Sequence, residues 1–182
     1  MSFIKLPEKS ELSGKALELI EETEKRWGYI PNISRAYSLA PHILEAEDIW
    51  SGNVIYKGLL PRKLKEAIAT TVSAINDCDY CASSHAHAYT IAGGEAEQAN
   101  SCKSLDFHNF DANEKAALEF TLKATGNPKS VTQEDIDTLL QYFSNPEIIE
   151  IVTVIQQFMG YNWFVSILGL ELDEANPMGA GA

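Results

Sequence analysis

Two of the three cysteines in this sequence stand three residues apart, close to a histidine that can act as a base. Cys78 and Cys81 form a C-x-x-C pattern, and His85 follows four residues after the second cysteine. If Asp77 caps a helix that begins near Cys78, both thiols lie in its first turn, where unpaired N–H groups and the helix dipole favour a thiolate. The three side chains then fall close to one stripe of the helix. This arrangement predicts a redox site, in which one thiol reacts and the other captures the oxidised product as a disulfide.

A zinc site is the first alternative use of these residues, because cysteine and histidine are common zinc ligands. A four-ligand set would comprise Cys78, Cys81, His85 and His87. His85 and His87 are two residues apart, so on a helix they point about 200° apart and cannot both face the sulfurs. The other potential ligands have no partner at metal-site spacing: His42, Cys102 and His108. We therefore expect no bound metal and no other cofactor.

The second alternative is that the cysteines are small core residues, which is a common fate of cysteine. The pair directly follows a predicted helix break at Asn76-Asp77, and the polar Asp79-Tyr80 dipeptide separates its members, which favours the redox interpretation. A thioredoxin-type site requires a βαβ unit, and no strand pattern occurs in this sequence. An odd number of cysteines also argues against a disulfide framework.

Composition narrows the possible partners and location. The 182 residues carry a formal net charge of −12, which argues against nucleic acid because proteins that bind polyanions concentrate Lys and Arg on one face. Lys5 and Pro7 interrupt the N-terminal segment before an apolar region forms, so we expect no signal peptide. No run reaches the roughly 20 apolar residues of a membrane span. We expect a cytoplasmic protein without membrane contact.

The hydrophobic period stays near 3.6, which predicts an all-α protein of about eight helices, in a single domain over residues 1–182. Four segments are expected: N-terminal helices at 10–57, the C-x-x-C core at 60–92, C-terminal helices at 112–170 and a flexible tail at 175–182. Helix boundaries are predicted by Gly28, Pro41, Pro61 and a capping box formed by Thr132 and Asp135. Asn32 is placed to cap a short helix through Leu39. The buried side of the next helix is expected at Ile43, Ala46, Trp50 and Val54.

The helix predicted at 146–170 is apolar on nearly every side, so it is buried in a core or between subunits. We expect a homo-oligomer on this ground. A weak internal echo aligns Glu66 with Glu150 and Cys78 with Asn162. It has two explanations, an internal duplication or the chance similarity of helical apolar patterns.

The pattern Glu66-x11-Cys78-x2-Cys81-x3-His85 resembles the signature of the alkylhydroperoxidase D-like group within the carboxymuconolactone decarboxylase family. The resemblance covers nearly the whole chain and is closest to the family's peroxidase-related branch. It rests further on the segments 28–32, 60–62, 111–115 and 135–162. An all-helical fold is what this resemblance implies, in agreement with the helical periodicity.

The resemblance also implies a role for each site residue. Cys81 is the peroxidatic thiol, Cys78 resolves it, His85 accepts the proton of Cys81, and Glu66 polarises His85. The chemistry is consistent, because a thiolate is the reactive form and an imidazole one turn away can take its proton. Well-characterised members of the family carry a second histidine between the cysteines, where this sequence has Tyr80, a poor base near neutral pH.

The expected activity is therefore thiol-dependent reduction of a hydroperoxide. The disulfide would be re-reduced by a thiol partner, namely a dihydrolipoyl group, a thioredoxin-like protein or a peroxiredoxin. Two alternatives remain. One is a non-enzymatic, oligomeric oxidation sensor, and the other is a decarboxylase or lactonase like other branches of the family, which do not need the cysteine pair.

Overall fold

The computed structural model describes residues 2–173, and within them the chain forms nine α-helices and two short 3₁₀ helices, with no β-strand. The α-helices are α1 (Gly14–Trp27), α2 (Asn32–Tyr37), α3 (Pro41–Tyr56), α4 (Arg62–Ile75), α5 (Asp79–Ile91), α6 (Ala96–Ser104), α7 (Ala112–Gly126), α8 (Gln133–Leu139) and α9 (Asn145–Leu168). The 3₁₀ helices are Lys9–Glu11 and Pro128–Ser130. The predicted all-α fold is confirmed. The tail predicted at 175–182 lies outside the described residues.

Helix α4 is the centre of the fold, because α5, α6, α7 and α9 all pack against it. Every residue from Leu64 to Ser73 is buried, including the charged Lys65 and Glu66. The main core joins α4 to the inner faces of α5, α7 and α9. A charged side chain on such a helix needs a partner inside the protein, since burying an unpaired charge is costly.

Several helix boundaries follow the local signals in the sequence. Gly28 ends α1 with a φ of 79°, in the left-handed region that glycine adopts without strain. Thr132 and Asp135 form the predicted capping box at the start of α8. The prediction for Asn32 is wrong. Pro31 is the N-cap of α2, and the N–H of Asn32 instead donates to Oδ1 of Asp173 at 2.6 Å.

The buried side of α3 also differs from the prediction. The buried residues are Leu44, Val54 and Ile55, whereas Ile43, Ala46 and Trp50 are exposed. Only Val54 was assigned correctly. The reason is that α3 carries apolar residues on more than one side, so the helical period does not single out the face that packs on α1 and α9.

Helix α9 has one face in the core and another that nothing in this chain covers. Ile151, Val154 and Phe158 are buried, whereas Ile149, Trp163 and Ile167 are each about two-thirds exposed, at 66%, 65% and 69%. Within residues 2–173, α9 is the one helix long and apolar enough to cross a membrane. Its packing against α4 and α7 makes it a core helix. The predicted homo-oligomer stays a prediction.

Candidate redox site

The thiol pair lies where α4 ends and α5 begins. Cys78 is the N-cap of α5, and its own N–H donates to the Ser73 carbonyl at 2.9 Å. The prediction that Asp77 caps this helix is wrong, because Asp77 has a φ of 52° and belongs to the turn between the helices. Only Cys81 therefore lies in the first turn. No side chain caps this helix, and the backbone N–H of Cys81 contributes to lowering the pKa of the Cys78 thiol.

The two sulfurs are in direct contact. Their Sγ atoms lie 2.8 Å apart and share a hydrogen bond, and both cysteines are free thiols that are 4% exposed. The third cysteine, Cys102, is fully buried in the main core. The structure therefore brings together the two predicted redox thiols and leaves the third cysteine in the core.

The environment of the pair separates the acidities of the two thiols. The hydrogen bond from the Cys81 thiol lowers the pKa of Cys78 to about 7, helped by the Cys81 N–H and the Asn162 amide and opposed by burial. The same hydrogen bond and burial raise the pKa of Cys81 well above its usual range. The lowered pKa is thus that of Cys78 and the raised one that of Cys81, whereas the sequence led us to expect the more acidic thiol at Cys81.

Glu66 and His85 are also brought together. His85 Nδ1 lies 2.7 Å from Glu66 Oε2, and the edge of its ring packs against Phe158. A histidine that donates from Nδ1 presents Nε2 as an acceptor. The other carboxylate oxygen of Glu66 accepts from Arg62 Nε at 3.1 Å. Arg62 was not predicted as a site residue, although its position four residues before Glu66 on one helix face is a usable signal.

A cavity of about 390 Å³ opens onto one side of this cluster. Glu66, Cys81 and His85 line it, whereas Cys78 does not, so Cys78 lies behind Cys81 as seen from the cavity. Seven aromatic side chains contribute to its walls: Trp27, Tyr29, Tyr37, Tyr56, Tyr80, Phe158 and Tyr161. The cavity has the size and the largely apolar lining of a small-molecule site. His87 lines the cavity too.

Comparison with known proteins agrees with this architecture. Residues 41–123 match the carboxymuconolactone decarboxylase family. The resemblance to this family is confirmed. The matched segment runs from the start of α3 into α7 and contains all four predicted site residues. No curated protein matches the sequence significantly.

Solved structures similar to this chain share its fold over nearly the whole length. A peroxidase-related protein from Silicibacter sp. TM1040 superposes with a TM-score of 0.89 at 22% identity, covering 96% of this chain and 93% of that one. An alkylhydroperoxidase AhpD core protein from Ralstonia eutropha JMP134 gives 0.87 at 22% identity, covering 95% and 93%. A variant of the debrominase Bmp8 in complex with 2,3,4-tribromopyrrole gives 0.81 at 22% identity, covering 97% and 96%.

Tyr80 stands where well-characterised proteins of the family that this sequence resembles carry a histidine, and here its hydroxyl connects separate segments of the chain. Its hydroxyl donates to Asp173 Oδ2 at 2.7 Å and accepts from the Ile33 N–H at 3.4 Å. Burial and the Asp173 carboxylate raise the pKa of Tyr80 far above its usual value. A phenol held in this way does not act as a base. It joins α5 to α2 and to the segment after α9.

Asn162 is a site residue that sequence reasoning missed. It is 1% exposed on α9, its amide bonds Asn76 at 2.9 Å and the Ser73 hydroxyl at 3.1 Å, and it contributes to lowering the pKa of Cys78. Two signals pointed to it: a polar residue within an apolar helix, and the internal echo that aligned Asn162 with Cys78. The echo does not extend to the backbone, because α9 is continuous through Asn162 whereas the chain turns at Cys78. The duplication stays a prediction.

A metal has no evident place in this site. Among residues 2–173, no three His, Cys, Asp or Glu side chains are grouped closely enough to hold an ion. Of the four proposed zinc ligands, His85 instead contacts Glu66, and the two cysteines contact each other. The cluster is therefore one of two thiols, an imidazole and a carboxylate.

Proposed function

We propose that this protein is a thiol-dependent hydroperoxide reductase in which Cys81 reacts with the substrate and Cys78 resolves the product. The observation that carries the proposal is the position of Cys81 on the cavity wall, with the Cys78 sulfur 2.8 Å from its own. A substrate in the cavity can contact the thiol of Cys81, and the thiol of Cys78 lies on the far side of Cys81 from the cavity. Two thiols in contact are what disulfide formation needs.

The first step oxidises Cys81. Because Cys78 has the lowered pKa and its sulfur lies 2.8 Å from that of Cys81, the Cys78 thiolate takes the Cys81 proton while the Cys81 sulfur attacks the terminal peroxide oxygen. An S–O bond forms, the O–O bond breaks, and the electron pair leaves on the alkoxide. His85, after taking up a proton at Nε2, gives it to the alkoxide, which leaves as an alcohol, and the external dithiol releases the next proton when it reduces the disulfide. In this scheme Cys78 accepts the Cys81 proton, in place of the histidine predicted from the sequence. His85 instead protonates the leaving group.

The second step forms the disulfide. The Cys78 sulfur attacks the sulfenic acid on Cys81, the S–S bond forms, and the hydroxide leaves with the Cys78 proton as water. An external dithiol then reduces the disulfide and becomes oxidised itself. Glu66 keeps His85 oriented through the Nδ1 contact at 2.7 Å. A cytoplasmic location and a dihydrolipoyl, thioredoxin-like or peroxiredoxin partner fit this cycle, because reduced thiols are maintained there.

The cavity favours an organic hydroperoxide over hydrogen peroxide. Hydrogen peroxide would occupy only a small part of the volume of about 390 Å³, whereas an aryl or alkyl group can pack against the aromatic walls. Binding energy from that group can hold the reacting oxygen close to Cys81. We therefore expect catalytic efficiency to rise from hydrogen peroxide to tert-butyl hydroperoxide and to cumene hydroperoxide.

Reductive dehalogenation is the second candidate, and the aromatic cavity favours it as well. The similar fold of a debrominase variant that binds a tribromopyrrole makes this a concrete alternative. The same two thiols would supply the electrons: a carbon–halogen bond becomes carbon–hydrogen, a halide ion leaves, and the thiols become a disulfide. This reaction needs a halogenated aromatic ring and no peroxide.

A substrate panel separates the candidates. Reduced protein is mixed with hydrogen peroxide, cumene hydroperoxide or 2,3,4-tribromopyrrole, each with dihydrolipoamide, glutathione or thioredoxin as the reductant. The proposal expects many turnovers of cumene hydroperoxide and loss of two titratable thiols when the reductant is omitted. Bromide release without peroxide turnover would favour the second candidate. One oxidation followed by no further turnover with any reductant would identify an oxidation sensor instead.

A further inference from the structure

The carboxylate of Glu66 is divided between two partners of different chemistry. Its Oε1 accepts from Arg62 Nε at 3.1 Å, and its Oε2 lies 2.7 Å from His85 Nδ1. Within residues 2–173 these are its two side-chain partners, and the carboxylate itself is 2% exposed. A guanidinium stays charged at any pH that a protein tolerates, whereas an imidazole gains and loses its proton near neutrality. The buried charge of Glu66 therefore has one fixed partner and one variable partner.

Arg62 is held in place from two sides. It is the first residue of α4, one turn before Glu66, and its guanidinium carbon lies 4.8 Å from the ring centroid of Tyr56. A guanidinium stacked on an aromatic ring keeps its donors in a fixed plane. Tyr56 lines the cavity, whereas Arg62 is not among the described residues that do so. The guanidinium thus lies behind the cavity wall and acts on a bound molecule through its neighbours.

A buried carboxylate needs a positive partner inside the protein, because an unpaired charge is costly to bury. If His85 were the only partner of Glu66, the carboxylate would hold it in the charged, imidazolium form. The proton at Nε2 would then leave less readily. With Arg62 in place, the charge of Glu66 is balanced whether or not His85 is protonated.

We propose that Arg62 is the permanent counter-charge of Glu66 and thereby leaves His85 free to exchange its Nε2 proton with a molecule in the cavity. The inference rests on the proposed function, since that cycle requires His85 to gain and lose this proton. Throughout the exchange Nδ1 keeps its contact with Glu66. Arg62 is in this account a positioning residue, which touches neither the substrate nor the thiols.

The other groups around His85 leave this assignment to Glu66 and Arg62. From α9, the neighbour of the imidazole ring is the uncharged Phe158, with ring centroids 4.3 Å apart. Within residues 2–173, no hydrogen bond or ion pair joins the His85 ring to the remaining charged or strongly acidic groups of the cavity wall. Those groups are Arg26, Glu47, Asp48, Cys81, His87 and Asp173.

The inference is tested by following the protonation of His85 in Arg62 variants. The ¹⁵N signals of the His85 imidazole are recorded against pH in reduced protein without peroxide, and they are assigned by their absence in His85→Ala. Arg62→Gln removes the charge, and Arg62→Lys keeps it. Lys63→Gln is the matched control. Lys63 is the next residue of α4, is 31% exposed against 30% for Arg62, and pairs with Glu114 at 2.7 Å.

The expected result is that the midpoint of His85 protonation rises by about one pH unit in Arg62→Gln. Arg62→Lys stays closer to the wild type, and Lys63→Gln keeps the wild-type midpoint. With cumene hydroperoxide, kcat of Arg62→Gln at neutral pH falls by roughly threefold or more while KM is unchanged, since Arg62 acts on proton transfer. A folded Arg62→Gln protein with an unchanged His85 midpoint overturns the inference, even if its melting temperature is lower. An equal rise in Lys63→Gln overturns it as well.

A wild-type measurement covers the case in which the Arg62 variants do not fold. In the unmodified protein, the Nε–H signal of Arg62 should shift with the same midpoint as the His85 ring, because both groups share one carboxylate. An Arg62 signal that does not change over the His85 titration overturns the inference. Neither titration contains a peroxide. Absence of turnover with every substrate would therefore reject the reductase and leave the His85 result intact.

Discussion

Two acidic residues of this molecule have matching sequence positions and different surroundings. Glu66 precedes Cys78 by the same interval, twelve residues, as Glu150 precedes Asn162. Glu66 lies on α4, next to the cavity, and pairs with Arg62 and His85. One of its partners, His85, also lines the cavity and can exchange a proton with a bound molecule.

The bonding partners described for Glu150 do not line the cavity. It pairs with Lys65 at 2.9 Å, and its oxygens accept the N–H groups of Leu59 at 2.7 Å and Leu60 at 3.1 Å. Lys65 in turn donates to the carbonyls of Val54 and Lys57. All of these hydrogen bonds join one protein group to another, and together they hold the connection between α3 and α4 in place.

The neighbours Lys65 and Glu66 therefore differ in their partners and in their access to the cavity, although both are charged, buried and adjacent on one helix. An ion pair whose hydrogen bonds are all made to other protein groups has a structural role. A pair that presents a titratable group to a cavity can take part in a reaction. The predictions below test this distinction, from the largest expected effect to the smallest.

Replacing Cys81 by serine should abolish turnover, because the hydroxyl is a far weaker nucleophile than a thiolate at neutral pH. The melting temperature should stay close to that of the wild type, since the change is nearly isosteric. Peroxide consumption and thermal unfolding are measured on the same preparation. Residual turnover in the Cys81→Ser, Cys102→Ala protein would mean that Cys78 attacks the substrate directly.

Replacing Lys65 by methionine should have the opposite effect, a loss of stability with little loss of activity. It leaves the partly exposed Glu150 and the carbonyls of Val54 and Lys57 without their cation, and leaving buried hydrogen-bonding groups unsatisfied typically costs about 1–3 kcal/mol. We expect a loss of that size in the free energy of unfolding, measured by urea denaturation, with kcat retained in the folded fraction. A stable protein with reduced kcat would show that the Glu150 cluster also serves the reaction.

Replacing His85 by alanine should slow the reaction by about 100-fold or more at neutral pH, the usual range for loss of a proton-transfer group. Glu66→Gln keeps the size of the side chain and should lose a part of that factor. Both defects should shrink at alkaline pH, where the thiol pair is ionised to a larger extent and the reaction depends less on the histidine. A loss in Glu66→Gln that is independent of pH and accompanied by a lower melting temperature would place Glu66 with Lys65 as a structural residue.

The thiol pair should make the stability of the reduced protein depend on pH. The pKa of Cys78 is lowered to about 7 in the folded state, so its contribution to stability is present above the unfolded value and is lost as the pH falls through 7. The raised pKa of Cys81 acts in the opposite sense at higher pH, because the unfolded thiol ionises first. We expect a gain of roughly 1–2 kcal/mol between pH 7 and 9. Cys78→Ser should remove this gain in urea denaturation, and a persistent gain would assign it to another group.

Local chemistry made much of the fold predictable. Helix ends depend on residues next to them, so Gly28, Pro41 and the Thr132–Asp135 box could be recognised from the sequence. The spacing of the motif also indicated that its acidic, thiol and imidazole side chains lie together, namely Glu66, Cys78, Cys81 and His85. The face that α3 buries could not be predicted, because several sides of that helix are apolar and the choice depends on its neighbours.

The missed site features depend on contacts between distant segments. Asn162 on α9 bonds Asn76 and Ser73 at the end of α4, just before the thiol pair, and Asp173 accepts the hydrogen bonds of Asn32 and Tyr80. The charge on Cys78 was missed for a similar reason. The sequence suggested that His85 controls Cys81, whereas the direct contact between the sulfurs has the larger effect. Spacing identifies the participants in such a cluster, and packing determines which of them is charged.

The central claim is that Cys81 meets the substrate and Cys78 resolves it, and trapping the oxidised sulfur tests this most directly. Cys78→Ser protein in the Cys102→Ala background is treated with cumene hydroperoxide and dimedone, and the modified peptide is located by mass spectrometry. The account predicts a dimedone adduct on Cys81, and none in the protein that retains Cys78, where the disulfide forms first. A fully reduced, unmodified Cys81 after peroxide treatment, or a sulfenic acid found on Cys78 in the Cys81→Ser protein at the wild-type rate, would contradict it.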